Sequence, residues 1–218
     1  MPSAQPAGYL AQPPTGTGRP VMVLHAWWGL NSTTKAFCDW LTGAGFVAFA
    51  PDLYSGKMTD TIEEAESLSS AVFADLDGAR ADVAQAADFL MARAGETVGG
   101  LAVIGFSLGA FFALDLSVSK PETVRSVVVY YGTRPGSYNA SSAAYLGHFA
   151  ELDAYEPRAE VDALEDALKQ AGRPVTFYHY NSIGHWFAEP DRKRSYDMAS
   201  AALAWDRTMA FLKRDTTG

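Results

Sequence analysis

The sequence predicts an α/β fold, with a mostly parallel central sheet and helices on both of its faces. Two observations lead there. Short apolar runs rich in branched residues alternate with segments whose apolar residues recur every three or four positions. Strands separated by helices of about a dozen residues need crossover connections, and crossovers make parallel sheets. The length agrees: 218 residues, 48% of them hydrophobic, suffice for one domain with a large core.

Residues 1–20 hold Pro2, Pro6, Pro13, Pro14 and Pro20 with Gly8, Gly16 and Gly18, and so read as an irregular lead-in carrying a short strand at 9–11. The main domain is expected over 21–218. Residues 21–25 form its first buried strand. Asn31 or Ser32 then caps a helix whose apolar positions are Phe37, Trp40, Leu41 and Ala44, with Gly43 and Gly45 ending it. Residues 46–50 are a strand stopped by Pro51. Val83, Ala86, Ala87 and Leu90 mark a helix packed by one face, broken by Gly95 and by Gly99-Gly100. A strand at 101–104 runs into a helix at 108–118, and strands follow at 124–130 and 143–148. Val161, Leu164, Leu168 and Ala171 mark a helix closed by Gly172 and Pro174. A strand at 175–179 comes next, and Met198, Ala202, Trp205, Met209 and Leu212 make the last helix.

Composition excludes several functions. With 25 acidic against 17 basic residues the net charge is −8, which repels phosphate backbones and argues against nucleic-acid binding. The single cysteine, Cys38, excludes an internal disulfide and a cysteine-based zinc site, and its place inside a helix makes it a small buried side chain. No metal-ligand cluster or phosphate-binding glycine loop is present, so neither metal nor organic cofactor is expected. The greasiest stretch, 101–116, carries Ser107 and Asp115 and is too short to span a bilayer. No secretory signal is visible at the N-terminus, so a cytoplasmic location is expected.

In parallel sheets, ligands bind beyond the carboxyl ends of the strands. One such end carries Gly105-Phe106-Ser107-Leu108-Gly109, a G-x-S-x-G pattern between a predicted strand and a predicted helix. A chain that reverses so sharply forces its middle residue into a strained conformation and brings neighbouring residues too close for side chains, which the glycines avoid. The serine oxygen then stands at a helix N-terminus, where free N–H groups favour negative charge. A serine nucleophile needs a base. Of the four histidines only His185 lies on a loop after the last strand; His25, His148 and His179 end or occupy strands and read as packed. The acid should lie between serine and histidine in the chain, on the loop after the strand at 143–148, where Glu151, Asp153 and Glu156 are the candidates. The oxyanion hole would take the N–H of Leu108 and a second from Ala26-Trp27-Trp28-Gly29. Trp27, Trp28, Trp186 and Phe187 flank Ser107 as an expected aromatic pocket. Asp52, after Pro51, reads as a loop-fixing carboxylate.

These residues resemble the dienelactone hydrolase family of α/β-hydrolases over about residues 9–212. The resemblance rests on His25-Ala26-Trp27-Trp28-Gly29-Leu30-Asn31, on Ala50-Pro51-Asp52-Leu53-Tyr54, on the elbow at 105–109, on 148–153 with Pro157, and on Gly184-His185-Trp186-Phe187. It implies Asp153 as the acid and Trp27 as the second oxyanion donor. It also implies a small-molecule ester or lactone as substrate, cleaved through an acyl-serine. Three departures stand out: Ser107 where the best-known members have cysteine, Ala26 where they have glutamate, and Glu189 where they have an arginine that grips a substrate carboxylate. Glu189 is accordingly expected in the substrate pocket, favouring neutral esters. The gap at 132–142 leaves no room for a cap domain. Thioesterase or acyltransferase chemistry on the same triad, and a non-catalytic ligand-binding protein, are the competing readings.

Overall fold

Alternation along the strands explains how this chain builds two cores. In the run Pro-Val-Met-Val-Leu, Val21 and Val23 face one side of the sheet and Met22 and Leu24 the other, all fully buried. The computed structural model describes residues 4–95 and 99–214. The predicted lead-in and main domain extend at 1–3, 96–98 and 215–218 into residues outside that description.

The described elements run β1 (Gly8–Ala11), β2 (Pro20–Leu24), α1 (Ser32–Gly43), β3 (Val47–Pro51), α2 (Ile62–Ala74), α3 (Leu76–Ala94), β4 (Leu101–Phe106), α4 (Leu108–Ser119), β5 (Val124–Tyr130), β6 (Ala144–Ala150), α5 (Arg158–Gln170), β7 (Val175–Tyr180) and α6 (Met198–Arg214). The strands form one sheet in the order β1-β3-β2-β4-β5-β6-β7. Every pair is parallel except β1 with β3. The chain thus adopts the α/β-hydrolase fold. Phe37, Cys38 and Leu41 of α1 and Met209 and Leu212 of α6 cover one face, while α3, α4 and α5 cover the other. No described helix is long and apolar enough to cross a membrane.

The strand expected at 9–11 is the edge strand β1, antiparallel to β3. Two details differ from the sequence reading. Trp40 was expected on the buried face of α1 but lies 55% exposed, its ring edge-on to Trp205 of α6. Helix α2 was not expected. Its apolar stripe is thin, Ala65, Leu68 and Val72, because it packs beside α3 and covers only a margin of the sheet. Thr61 at its N-cap, Glu63 and Glu64 in its first turn and the three-and-four spacing were the available signals.

The connection from β5 to β6 contains no helix or strand, as the short gap implied. It is pinned instead. Arg134 and Arg80 both bind Asp115 of α4, at 2.9 and 3.0 Å, and the Tyr138 hydroxyl donates to the Arg134 carbonyl.

His25 and His148 are completely buried and structural. His148 has Nδ1 2.8 Å from the Tyr180 hydroxyl and Nε2 3.0 Å from that of Thr208, tying β6 to β7 and α6. Burial pushes His25 below its ordinary value and His148 to about 3. The unfolded chain binds those protons at about 6.5. The stability contributed by these neutral imidazoles is therefore complete above that value and lost as pH falls toward 3. Urea unfolding between pH ~7 and ~4 is expected to show stability declining with acidity, and His148→Gln to flatten the decline. An unaltered slope in that variant would assign the acid sensitivity elsewhere.

Candidate active site

The elbow is held by close backbone packing. Ser107 links β4 directly to α4 with φ 49° and ψ −111°, a conformation that costs a non-glycine residue about 1–3 kcal/mol. A Cβ at Gly105 would overlap the Gly109 backbone, and one at Gly109 would overlap the Leu24 carbonyl and approach that of His25. The second contact sets the end of β2, and the loop that follows it, against the elbow. A third glycine, Gly132, packs under the elbow from the end of β5, where a Cβ would stand 2.6 Å from the Ser107 carbonyl oxygen. Sequence reasoning missed Gly132, because its partner lies 25 residues away and shares no motif with it.

Three strand-end loops then bring a serine, an imidazole and a carboxylate into line. The Ser107 Oγ lies 2.9 Å from His185 Nε2, and His185 Nδ1 lies 2.7 and 2.8 Å from the two oxygens of Asp153. An ionised carboxylate only accepts, so Nδ1 carries the hydrogen and Nε2 is free to accept from the serine hydroxyl. The side chains of His185 and Asp153 are only 4% and 3% exposed, so their hydrogen bond is shielded from water.

The three candidate carboxylates are sorted by what they bind. Asp153 also accepts the N–H groups of Tyr155 and Glu156, both at 2.9 Å, which fixes the carboxylate toward the histidine. Glu151 accepts the Ser182 N–H at 2.7 Å and braces the base of the histidine loop. Glu156 takes the N–H and hydroxyl of Thr133, at 3.1 and 2.7 Å, and so joins the loops after β5 and β6. Burial raises its pKa, against the lowering effect of those two bonds.

The loop after β2 is equally constrained. His25 Nδ1 donates to the Ala26 carbonyl at 2.7 Å, and its Nε2 accepts the Leu53 N–H at 3.2 Å. Gly29, at φ 81°, leaves no space for a side chain beside the Lys57 carbonyl, and Asn31 caps α1 through the Thr34 N–H. Asp52 accepts the N–H groups of Tyr54 and Gly56, so it fixes the neighbouring loop. Trp27 lies in this braced segment. Leu108 is the first residue of α4, where an N–H has no acceptor within the helix.

The aromatic surround differs in part from expectation. Trp27, Tyr155 and Trp186 cluster around His185, with Trp186 and Tyr155 ring centres 4.9 and 5.3 Å from the imidazole and Trp27 packed on both. Tyr155 was missed; two residues beyond the acid, it had only its position as a signal. Trp28 and Trp186 line an open cleft of about 400 Å³ with Ile62 and residues 191–195, and the Arg192 guanidinium lies 4.1 Å over the Trp28 ring. Phe187 does not wall a pocket: it is fully buried against Tyr131 and Tyr180. Glu189 lines a small cavity with Ala26, Phe106 and residues of α1. It is 5% exposed and accepts the Tyr131 hydroxyl at 2.8 Å. The backbone turns at Trp186, φ 63°, and the Glu189 carboxyl meets Tyr131 rather than open solvent. Burial pushes the Glu189 carboxyl up to about 8, opposed by the Tyr131 bond and reinforced by Asp191.

Comparison with known proteins adds to this geometry. A family model described as the dienelactone hydrolase family matches residues 7–216. A protein of Aquifex pyrophilus named "Protein usf" is 31% identical, the match covering 96% of this chain and 94% of that one. "Carboxymethylenebutenolidase 1" of Cupriavidus pinatubonensis is 25% identical over 94% of this chain and 89% of its own. Among solved structures, a dienelactone hydrolase-like promiscuous phosphotriesterase from metagenomic libraries superposes with a TM-score of 0.86 at 19% identity, over 95% of this chain and 91% of that one.

The packing under the elbow can be tested directly. Gly132→Ala forces the Ser107 backbone to move and is expected to lower the turnover of a chromogenic ester at least tenfold, on the order of 1.4 kcal/mol of barrier. Gly43→Ala in α1, where a Cβ meets open space, is the control that leaves turnover unchanged. Equal rates in the two variants would show that the elbow tolerates displacement.

Proposed function

Because the chain belongs to the dienelactone hydrolase family, we propose that it hydrolyses a carboxylic ester or lactone through an acyl-serine formed on Ser107. The observation that carries this is the continuous hydrogen-bonded line from Ser107 through His185 to Asp153.

In this reading Ser107 Oγ attacks the carbonyl carbon while His185 Nε2 takes the hydroxyl proton. Asp153 holds the imidazole in the productive tautomer and stabilises its charged form without taking the proton. The oxyanion is received by the N–H groups of Leu108 and Trp27, each worth about 3–4 kcal/mol of barrier. The imidazolium then protonates the leaving alcohol oxygen, and the carbonyl–oxygen bond breaks. A water enters, gives its proton to Nε2 and attacks the acyl-enzyme. Collapse releases the carboxylic acid and returns the proton to Ser107. For a lactone, the alcohol and acid ends leave as one molecule.

The absence of a cap element between β5 and β6 and the aromatic cluster of Trp27, Tyr155 and Trp186 around His185 suit a small-molecule substrate with an apolar or aromatic portion. The lead-in and main domain act as one unit, because β1 completes the sheet at β3.

A fluorophosphonate probe is expected to add once, at Ser107, and Ser107→Ala to abolish both labelling and ester turnover. Survival of near-wild-type turnover would remove Ser107 as nucleophile. Asp153→Asn is expected to reduce turnover by about 10⁴-fold. Glu151→Gln and Glu156→Gln, whose carboxylates brace loops, should cost about tenfold or less by the loss of one or two hydrogen bonds. The reverse ranking in kcat would make one of them the acid.

A further inference from the structure

The imidazole of His185 is gripped by more than Asp153. Tyr131, the residue after β5, has φ 39°, its N–H donating to the His148 carbonyl at 2.8 Å. Its ring centre lies 4.9 Å from that of His185, and the residue is fully buried. Its hydroxyl donates to Glu189 at 2.8 Å. Glu189 sits four residues beyond His185 on the same loop, so the loop returns to support its own histidine through the residue that follows β5.

We propose that Glu189 is a positioning residue for His185, acting through Tyr131: its carboxyl group holds the phenol, and the phenol ring holds the plane of the imidazole. This rests on His185 being the general base. The bond is of normal length and largely buried, and a tyrosine in so strained a backbone needs an anchor at its far end.

The surroundings of Glu189 make this support sensitive to pH. On its own loop it faces Asp191 and Arg192; from the loop after β5 it faces Tyr131. The elbow and the loop after β2 contribute Phe106 and Ala26, and α1 contributes Thr33, Thr34, Phe37 and Trp40, none of them titratable near neutrality. Asp191 is itself bound by Asn31, Thr33 and Arg192. Desolvation therefore dominates, and the carboxyl is neutral until about pH 8. Above that it carries a negative charge behind the histidine, which favours the imidazolium formed in the transition state.

The test follows the His185 imidazole itself. Its nitrogen-15 resonances, titrated from about pH 5 to 10 in wild type and in Ser107→Ala, are expected to show a second inflection near pH 8. Glu189→Gln should remove it while keeping a carbonyl that accepts from Tyr131. In kinetics, Tyr131→Phe and Glu189→Ala are expected to lower kcat about tenfold with KM within about twofold, and Glu189→Gln to recover most of that loss but none of the alkaline rise in kcat. An inflection that survives in Glu189→Gln, or Tyr131→Phe turning over within about twofold of wild type, overturns the proposal. Neither result touches the assignment of Ser107, which the covalent probe decides separately.

Discussion

Everything at this site depends on the sharp reversal of the chain at Ser107. A strand in the middle of the sheet turns straight into a helix whose residues are buried almost throughout, and the serine between them takes a conformation that costs about 1–3 kcal/mol. The strain is held because β4 is paired on both sides, by β2 and β5, and the elbow contacts both neighbours. Gly109 lets it touch the end of β2, and Gly132 lets it touch the end of β5. Those two contacts set the relative heights of the nucleophile, the loop carrying Trp27 and the tyrosine behind the histidine.

Around this elbow the polar side chains divide their tasks by distance. The loops after β2, β3, β5, β6 and β7 are long, and loops lacking regular structure must find hydrogen bonds for their backbones. Here they find them in side chains: His25 for Leu53, Asp52 for Tyr54 and Gly56, Glu156 for Thr133, Glu151 for Ser182 and Asp153 for Tyr155 and Glu156. Of these carboxylates Asp153 is the one that also reaches the imidazole. A site so braced reorganises little as charge develops, which is what electrostatic stabilisation of an oxyanion requires.

The three departures from the family's best-known pattern take a different meaning in the folded chain. Ser107 keeps a histidine partner at 2.9 Å. Ala26 leaves space at the loop after β2, and Glu189, which lines that small space with Phe106 and α1, directs its carboxyl inward to Tyr131. An ionisable residue in an active-site loop can thus be held by the protein itself. At 5% exposure its first obligation is to find a hydrogen-bond partner within the protein.

Periodicity and local chemistry were enough for much of this molecule. Seven strands, five of the six helices and the elbow are each written within a short window, since the period of burial and the glycines of a tight turn are local properties. The order serine, acid, histidine followed from the elbow. What the windows could not hold was relation across the sheet. Spacing favoured Asp153 but kept Glu151 and Glu156 as candidates, because within six residues of loop the direction of each carboxylate is decided by the particular N–H groups it meets, on its own loop for Asp153 and on neighbouring loops for the other two. The thin stripe of α2 and the exposed ring of Trp40 depended on how much of the sheet other helices had already covered. Phe187 and Glu189 were placed toward substrate by their nearness to His185 in sequence, but the backbone turns at Trp186 and takes them under Tyr131. The sequence by itself determined which chemical groups stand at the strand ends. Only the tertiary structure decided which way each of them faces, because facing is set by partners that lie tens of residues away in the chain.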